Sequence, residues 1–272
     1  MEKYSVLMTV YHKEDPKQFV TAIRSMLDQT VTSDDIVIVC DGPLTEELDR
    51  ALDEFRQQNP GVFNIVRLEE NVGIGAAANI GLQHCRYDLV AKMDADDIAV
   101  PERCEMQLRR FDECPELKVL GGHIEEFGDD PAVPFSVRKV PLTNEQIRKF
   151  ARRRQPFNNM TVMYRRCAVQ AVGGYRDFRR SEDFDLYLRL LAAGNYAENL
   201  DRVLVKARVN EGAFQRRGSW ATLRGCARSR WYSYQIGYAS LTDVCVCVAG
   251  ELVIMLSPHG VKKFIYSHFL RK

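Results

Sequence analysis

The stretch Leu89-Val90-Ala91-Lys92-Met93-Asp94-Ala95-Asp96-Asp97 joins a short, mostly apolar run to three carboxylates within four residues. The run predicts a strand over Leu89–Met93, with the carboxylates at its carboxyl end. Working back along the chain, Tyr4–Val10 is a β-branched strand signal, and Asp15-Pro16 is an N-cap followed by a first-turn proline for a helix to about Asp28. Ile36–Cys40 is four β-branched residues and a cysteine, the pattern of a buried parallel strand, stopped by the turn Asp41-Gly42-Pro43. A helix over Thr45–Gln58 places Leu48, Leu52 and Phe55 at helical spacing. Phe63–Leu68 is the third strand and Gly75–Cys85 the third helix. After the carboxylates, Pro101 opens a helix to near Cys114. Four strand–helix units in succession predict an α/β fold with a mainly parallel sheet and right-handed crossovers. Ligands of such sheets bind beyond the strands' carboxyl ends, which here means near Thr9, Asp41, Asn71 and Asp94.

The pattern then changes. Strands are predicted at Val119–Ile124, Thr161–Tyr164 and Leu200–Ala207. Thr143-Asn144-Glu145-Gln146 is a capping box for a helix that becomes basic at Arg152-Arg153-Arg154. Another helix runs from near Glu182 to Ala193, with Leu186, Leu190 and Leu191 on its apolar face. The simplest division is one catalytic-size domain over residues 1–217 and an extension over 218–272. The first half of the domain, to about residue 115, is nucleotide-sized, and 116–217 forms the other half.

Composition excludes disorder and fibrous repeats as the main story: hydrophobic residues are 46% and charged residues 28%. The net charge of +1 gives no reason to expect a nucleic-acid partner. That average hides an asymmetry, because the chain from Lys206 onward carries 11 Lys/Arg against 3 Asp/Glu. The eight cysteines form no Cys-x-x-Cys pair and read as reduced cytosolic thiols. The start of the chain shows no basic-then-apolar leader, so a cytoplasmic location is expected. The apolar run Val244–Ser257 is interrupted by Glu251 and is shorter than the ~20 residues of a membrane-spanning helix.

Four motifs carry possible chemistry. Asp94, Asp96 and Asp97 repel one another unless a cation balances them. A hard divalent ion completed by substrate phosphates would do so, and an acidic turn capping the next helix is the plainer alternative. Asn71-Val72-Gly73-Ile74-Gly75-Ala76-Ala77-Ala78-Asn79 matches a loose dinucleotide fingerprint and could bring backbone N–H groups to an anion. The same small residues could serve only close helix–sheet packing. Ser181-Glu182-Asp183-Phe184-Asp185 places acids at a helix start, favourable to the dipole but also suited to a general base. Phe214-Gln215-Arg216-Arg217 could clamp phosphates or form a solvated basic face.

Taken together and in this order, these stretches resemble glycosyltransferase family 2, the inverting enzymes of GT-A fold. The matching stretches are Ser5–Tyr11, Val39-Cys40-Asp41-Gly42-Pro43, Asn71-Val72-Gly73, Lys92–Asp97, Pro156-Phe157-Asn158 and Ser181–Leu186. They span about residues 4–217 and are nearest to bacterial members that build capsular polysaccharide and exopolysaccharide. The resemblance implies a nucleotide-sugar donor, usually a UDP-sugar, and a lipid-linked saccharide acceptor. It implies that Asp41 contacts the base, with Thr9, Tyr11, Asn71 and Gly73 in the nucleotide site. By the same resemblance Asp94 touches the ribose or the metal, and Asp96 ligates Mn2+ or Mg2+ at the diphosphate, in an Asp-x-Asp motif. Arg216 or Arg217 adds charge to the departing group, and Asp183 is the base, with Glu182 as the fallback. One departure is Asn159, where many relatives have His.

Two other classes are weighed against this one. A nicotinamide-dependent oxidoreductase would use the Gly73–Gly75 turn but leaves the aspartate cluster unexplained. A non-catalytic polysaccharide-assembly protein would not need Asp94, Asp96 and Asp183 intact. Beyond the domain, Trp220, Trp231, Tyr232, Tyr234 and Tyr238 alternate with Arg224, Arg228 and Arg230. Helices of this kind suit the headgroup region of an anionic membrane, which predicts a peripheral protein on the inner face. Packing on the domain, or a homodimer interface, is the alternative.

Overall fold

In the computed structural model, residues 1–176, 181–209 and 220–257 are described. Strands β1 (Tyr4–Val10), β2 (Ile36–Cys40), β3 (Phe63–Arg67) and β4 (Leu89–Met93) pair in parallel in the order β3-β2-β1-β4. The sheet continues past β4 with mixed polarity. It takes in β5 (Ile98–Ala99), β6 (Leu117–Phe127), β7 (Pro134–Arg138), β8 (Met163–Arg165) and β9 (Tyr196–Arg208), in the path β4-β8-β6-β9-β5 with β7 on β6. β8 is antiparallel to both β4 and β6, whereas β6 and β9 run parallel. This is the mixed, mainly parallel sheet flanked by helices that the sequence predicts.

The alternation of β1 explains the layers. Tyr4, Val6, Met8 and Val10 enter a core shared with α1 (Pro16–Leu27), α2 (Glu46–Gln58) and α4 (Arg103–Glu113). Leu7 enters a second core with α3 (Ile74–His84), α5 (Asn144–Ala151), α6 (Arg166–Ala171) and α7 (Glu182–Ala192). In α1, the Asp15 carboxylate accepts from the N–H groups of Lys17 (2.9 Å) and Gln18 (3.0 Å). The helix buries Phe19, Ala22, Ile23 and Met26, one apolar stripe at helical period. The capping box at Thr143 and Gln146 forms as expected and starts α5. In α3, a Cβ on Gly81 would overlap Leu7 and come within 2.8 Å of Val39 Cγ2, so a bare backbone lets this helix lie close on the sheet.

Several boundaries differ from the sequence reading. The helix expected to open at Pro101 starts at Arg103, whose N–H first closes a turn onto the Val100 carbonyl (3.1 Å). The strand expected over Thr161–Tyr164 starts at Met163, because Asn159–Thr161 is a 3-10 turn. There the Thr161 hydroxyl donates to Asn158 O (2.7 Å) and accepts from Gly122 N–H (3.0 Å). The short elements β5, β7 and α6 were not expected.

After residue 220, helices α8 (Trp220–Gln235) and α9 (Leu241–Leu256) pack on each other and, through α8, on α7. Buried Arg230 donates to the carbonyls of Ala151 (3.2 Å), Arg152 (3.3 Å) and Arg153 (2.7 Å), the open C-terminus of α5. Its guanidinium lies 3.9 Å from the Phe184 ring centroid. Asp243 pairs with Arg153 at 2.5 Å. So the extension does pack on the α/β unit. Its far side still presents Val246, Val253 and Leu256 to solvent, with Leu256 73% exposed. Among the described residues, no helix is long and apolar enough to cross a membrane.

Candidate active site

The loops after β1 to β4 meet in one cleft of about 450 Å³. Thr9, Tyr11 and Glu14 come from the end of β1, Asp41 from β2, Asn71 and Gly73 from the β3–α3 loop, and Asp94 and Asp96 from the end of β4. A second cavity, about 280 Å³, shares Ile74 and Asp94 with the first. It runs on to Glu182 and Asp183 at the start of α7, past Lys92, Gln155, Asn158 and Asn159. The fold thus brings together the sequence-selected residues Thr9, Tyr11, Asp41, Asn71, Gly73, Asp94 and Asp96, with Glu182 and Asp183 next door. Arg216 and Arg217 lie outside the described residues.

Asp41 organises the β3–α3 loop. Its two carboxylate oxygens accept from the N–H groups of Val72 (2.7 Å) and Gly73 (3.1 Å), and its own carbonyl accepts from the Asn71 amide (3.1 Å). Gly42 beside it has φ +85°, and a Cβ there would stand 3.0 Å from Asn71 N. The N–H groups of Val72 and Gly73, just before α3, are therefore held by Asp41. Gly75 lies against Glu182, whose Cβ would be 3.3 Å from a Cβ at that position. Close packing accounts for Gly75, Ala77 and Ala78, whereas Gly73 is set by its positive φ of +91°.

The three aspartates split. Asp97 is buried and accepts from Arg208 N–H (2.8 Å), which ties the motif to β9. Burial, with Asp96 and Asp94 nearby, pushes its carboxyl well above the usual range. Asp94 and Asp96 face the cleft instead. Burial raises the Asp94 carboxyl, opposed by the charges of Lys92 and Arg103. Arg103 is fully buried under the motif and donates to Lys92 O (2.6 Å), which fixes the end of β4.

On α7 the acids have different tasks. Asp185 is fully buried between Arg176 (Nε, 3.0 Å) and Arg189 (Nε, 2.9 Å), a structural ion cluster. Asp183 faces the cavity and accepts from the Gln155 amide (3.1 Å) and the Phe184 N–H (2.8 Å). Burial raises its carboxyl; the Phe184 N–H opposes this and the charge of Asp94 adds to it. Asn159 accepts from the Tyr187 hydroxyl (2.8 Å), so the residue at the position of departure is anchored to α7.

Among the described residues, no three His, Cys, Asp or Glu side chains converge to hold a metal by themselves. The donor set still fits a hard cation that shares its ligands with a substrate. The cleft lining contains Glu14, Asp41, Asp94 and Asp96 and, among the described residues, no Lys or Arg. A diphosphate entering such a lining needs a counter-cation, and two carboxylates plus phosphate oxygens suit Mg2+ or Mn2+.

A mixed, mainly parallel sheet with an acidic cleft at its strands' carboxyl ends, opening into a carboxylate-lined cavity, fits a glycosyltransferase of GT-A fold. The family model described as glycosyl transferase family 2 matches residues 5–178, and the chain belongs to that family. It is 39% identical over 276 residues to an uncharacterized glycosyltransferase of Haemophilus influenzae, covering 99% of this chain and 100% of that one. It is 33% identical to the UDP-Gal:alpha-D-GlcNAc-diphosphoundecaprenol beta-1,3-galactosyltransferase of Escherichia coli, covering 99% and 97%. It is 37% identical to the amylovoran biosynthesis glycosyltransferase AmsE of Erwinia amylovora, covering 80% of each. Among solved structures, S. aureus TarS 1-349 in complex with UDP-GlcNAc superposes with a TM-score of 0.67 at 19% identity, over 99% of this chain and 76% of that one. The mannosyltransferase PcManGT from Pyrobaculum calidifontis, in complex with GDP-Man and Mn2+, also gives 0.67, at 14% identity over 98% and 75%. The chain spans 46% of the TarS chain in its longer structure.

Sequence reasoning did not single out Lys92, Arg103, Gln155 or Asn158. Lys92 alone had a local signal, a cation inside a five-residue strand that is buried throughout.

Proposed function

We propose that the protein transfers a hexosyl group from a UDP-sugar to a hydroxyl of a lipid-linked saccharide, in the assembly of a bacterial surface polysaccharide. The observation that carries this reading is the junction at Asp94 of a nucleotide-sized acidic cleft with a cavity ending at Asp183. The name of the Escherichia coli relative supplies the donor and acceptor classes, and that of the Erwinia amylovora relative the setting of polysaccharide biosynthesis. Asp41 reads the base, with Thr9, Tyr11, Asn71 and Gly73 around the nucleoside. Asp96 and Asp94 are the residues that would hold Mn2+ or Mg2+, which supplies charge neutralisation for the departing diphosphate. Arg216 and Arg217 are assigned to the same diphosphate.

The step is a single displacement. The acceptor oxygen bonds to the anomeric carbon, the bond from that carbon to the phosphate oxygen breaks, and UDP leaves with the electron pair. Asp183 takes the acceptor's proton, and configuration inverts. Its burial raises its proton affinity, which suits a base, and Gln155 fixes its orientation. Glu182 is the second acid at the same wall.

Residues 1–217 form the catalytic unit in this reading, and 218–272 dock it on the inner face of the cytoplasmic membrane. The exposed Trp220, Trp231, Val246, Val253 and Leu256, with the local excess of basic residues, support docking. Full-length protein should float with anionic liposomes at low salt. A protein that stays behind as a dimer would assign this face to a second copy. The reaction is tested by incubating GlcNAc-diphosphoundecaprenol with Mn2+ and, in turn, UDP-Glc, UDP-Gal, their N-acetyl forms and a deoxysugar nucleotide. One donor should release UDP and extend the acceptor. Release of UDP with no extended acceptor from any donor would overturn the acceptor assignment.

A further inference from the structure

Among the described residues, three that line the smaller cavity carry a buried side-chain atom with no hydrogen-bond partner and no other contact to explain it. They are Lys92 Nζ, Gln155 Oε1 and Asn158 Oδ1. Lys92 is 1% exposed in the middle of the sheet. An ammonium buried without acceptors is costly, and an apolar side chain would suit the fold better. The two amides are held in one sense. Asn158 Nδ2 donates to Gly122 O (2.9 Å) and Gln155 Nε2 to Asp183 Oδ2 (3.1 Å), so both oxygens remain as acceptors. These atoms, one cationic donor and two neutral acceptors, match a ring bearing several hydroxyls, each of which both donates and accepts; Arg138 lines the same cavity beside the acids Asp94, Glu182 and Asp183.

Charge narrows the ligand further. Burial works against the Lys92 ammonium, and the charges of Asp94, Asp183 and Glu182 oppose this without fully offsetting it. What Lys92 lacks is a hydrogen-bond acceptor, and a neutral hydroxyl oxygen supplies one. The cavity opens into the nucleotide cleft at Asp94, so the ring that enters it is the one attached to the diphosphate. We infer that Lys92 is a specificity-determining residue that donates to a ring hydroxyl of an uncharged donor hexosyl group, with Asn158 and Gln155 accepting from its neighbours. This rests on the transferase reading above and names the residues that select its sugar. The same acceptors explain why the amides face as they do: each oxygen is left for the ligand.

The test is calorimetric, with Mn2+ present, using UDP, UDP-galactose, UDP-glucose and the monodeoxy analogues of both sugars. At least one monodeoxy analogue should bind the wild-type protein about 10- to 100-fold more weakly than its parent, the range for a hydrogen bond to a charged group. Lys92→Met should leave UDP affinity unchanged and bind that analogue and its parent equally. UDP-glucuronate should bind more weakly than either neutral sugar nucleotide. If no monodeoxy analogue is penalised in the wild type, the inference fails without any variant. If the penalty persists in Lys92→Met, or if that variant loses UDP and UDP-sugar to the same extent, Lys92 does not select the sugar. Failure of the wild type to bind UDP at all would overturn the transferase reading, and this inference with it. Normal UDP binding with indifference to the sugar hydroxyls overturns the inference alone.

Discussion

At the amino ends of β1, β2 and β4, charges are paired. Asp35 is fully buried: its Oδ2 accepts from the Ser5 hydroxyl (2.5 Å) and the Arg86 N–H (2.8 Å), and its Oδ1, which makes no hydrogen bond, lies 3.4 Å from the Arg86 guanidinium. Lys3 pairs with Asp34 and Arg165 with Glu2, each at 2.8 Å. At the carboxyl ends of the same strands, Asp94 and Asp96 share one cleft, and Lys92 sits below them with no acceptor. The amino end also carries the larger cavity, about 950 Å³ against 450 and 280 Å³. Volume therefore does not locate the site. Crowded like charges beside a group of unmet donors and acceptors around one cavity mark it instead, whereas elsewhere among the described residues such atoms occur singly.

The contrast can be broken most sharply at Asp183. Asp183→Asn should retain UDP affinity and lose about 10²–10⁴-fold in transfer rate, the usual worth of general-base proton transfer. Loss of UDP binding with unchanged turnover per bound donor would move the base to Glu182. At the amino end the opposite outcome is expected. Asp35→Asn should cost about 2–3 kcal/mol in a denaturant melt, from weakened charge-assisted hydrogen bonds, with turnover per folded molecule unchanged.

A pH profile sharpens the same comparison. As the proposed base, Asp183 would work only when deprotonated, and burial raises its carboxyl above the usual value of 3.8. Transfer should fall as pH drops through that raised value, so the acid limb should lie above the ordinary carboxylate range. A limb at the ordinary value would place the base in a solvated position.

The smallest effect concerns the helical extension. Burial works against the charged form of Asp243, but Ser240 and Arg153 more than offset it and hold the carboxyl down to about 2. Its stabilising contribution is complete above the unfolded value of 3.8 and is lost as pH falls towards 2. Arg153 is half exposed, so Arg153→Ala should cost only about 0.5–1 kcal/mol at neutral pH, seen as faster amide exchange in α9. Unchanged exchange would remove the pair from the docking of α9.

The two halves of the sheet were not equally legible. Ile36–Cys40 and Leu89–Met93 were readable to the residue because strands buried on both faces are continuous apolar runs. β7 is largely exposed and carries no such run, and the two-residue β5 is defined by its pairing with Val205 and Lys206, about a hundred residues away. In the site, the carboxylates at a strand end and a helix start stood out by position. That Asp97 turns inward depends on Arg208, and that Asp185 is spent depends on Arg176 and Arg189. Lys92 was inside the deciding stretch from the outset. Its lack of an acceptor is set by Gln155, Asn158 and α7, which local pattern does not reveal.

We propose above all that the carboxylates Asp94 and Asp96 at the carboxyl end form a cation-dependent nucleotide site. Calorimetric titration of UDP into the wild type and into Asp96→Ala, with Mn2+ and then with EDTA, tests it most directly. The wild type should bind UDP with Mn2+ and lose most of that affinity in EDTA, and Asp96→Ala should bind weakly in both while keeping the wild-type melting transition. Equal UDP affinity with and without the metal, in a folded wild-type protein, would contradict it.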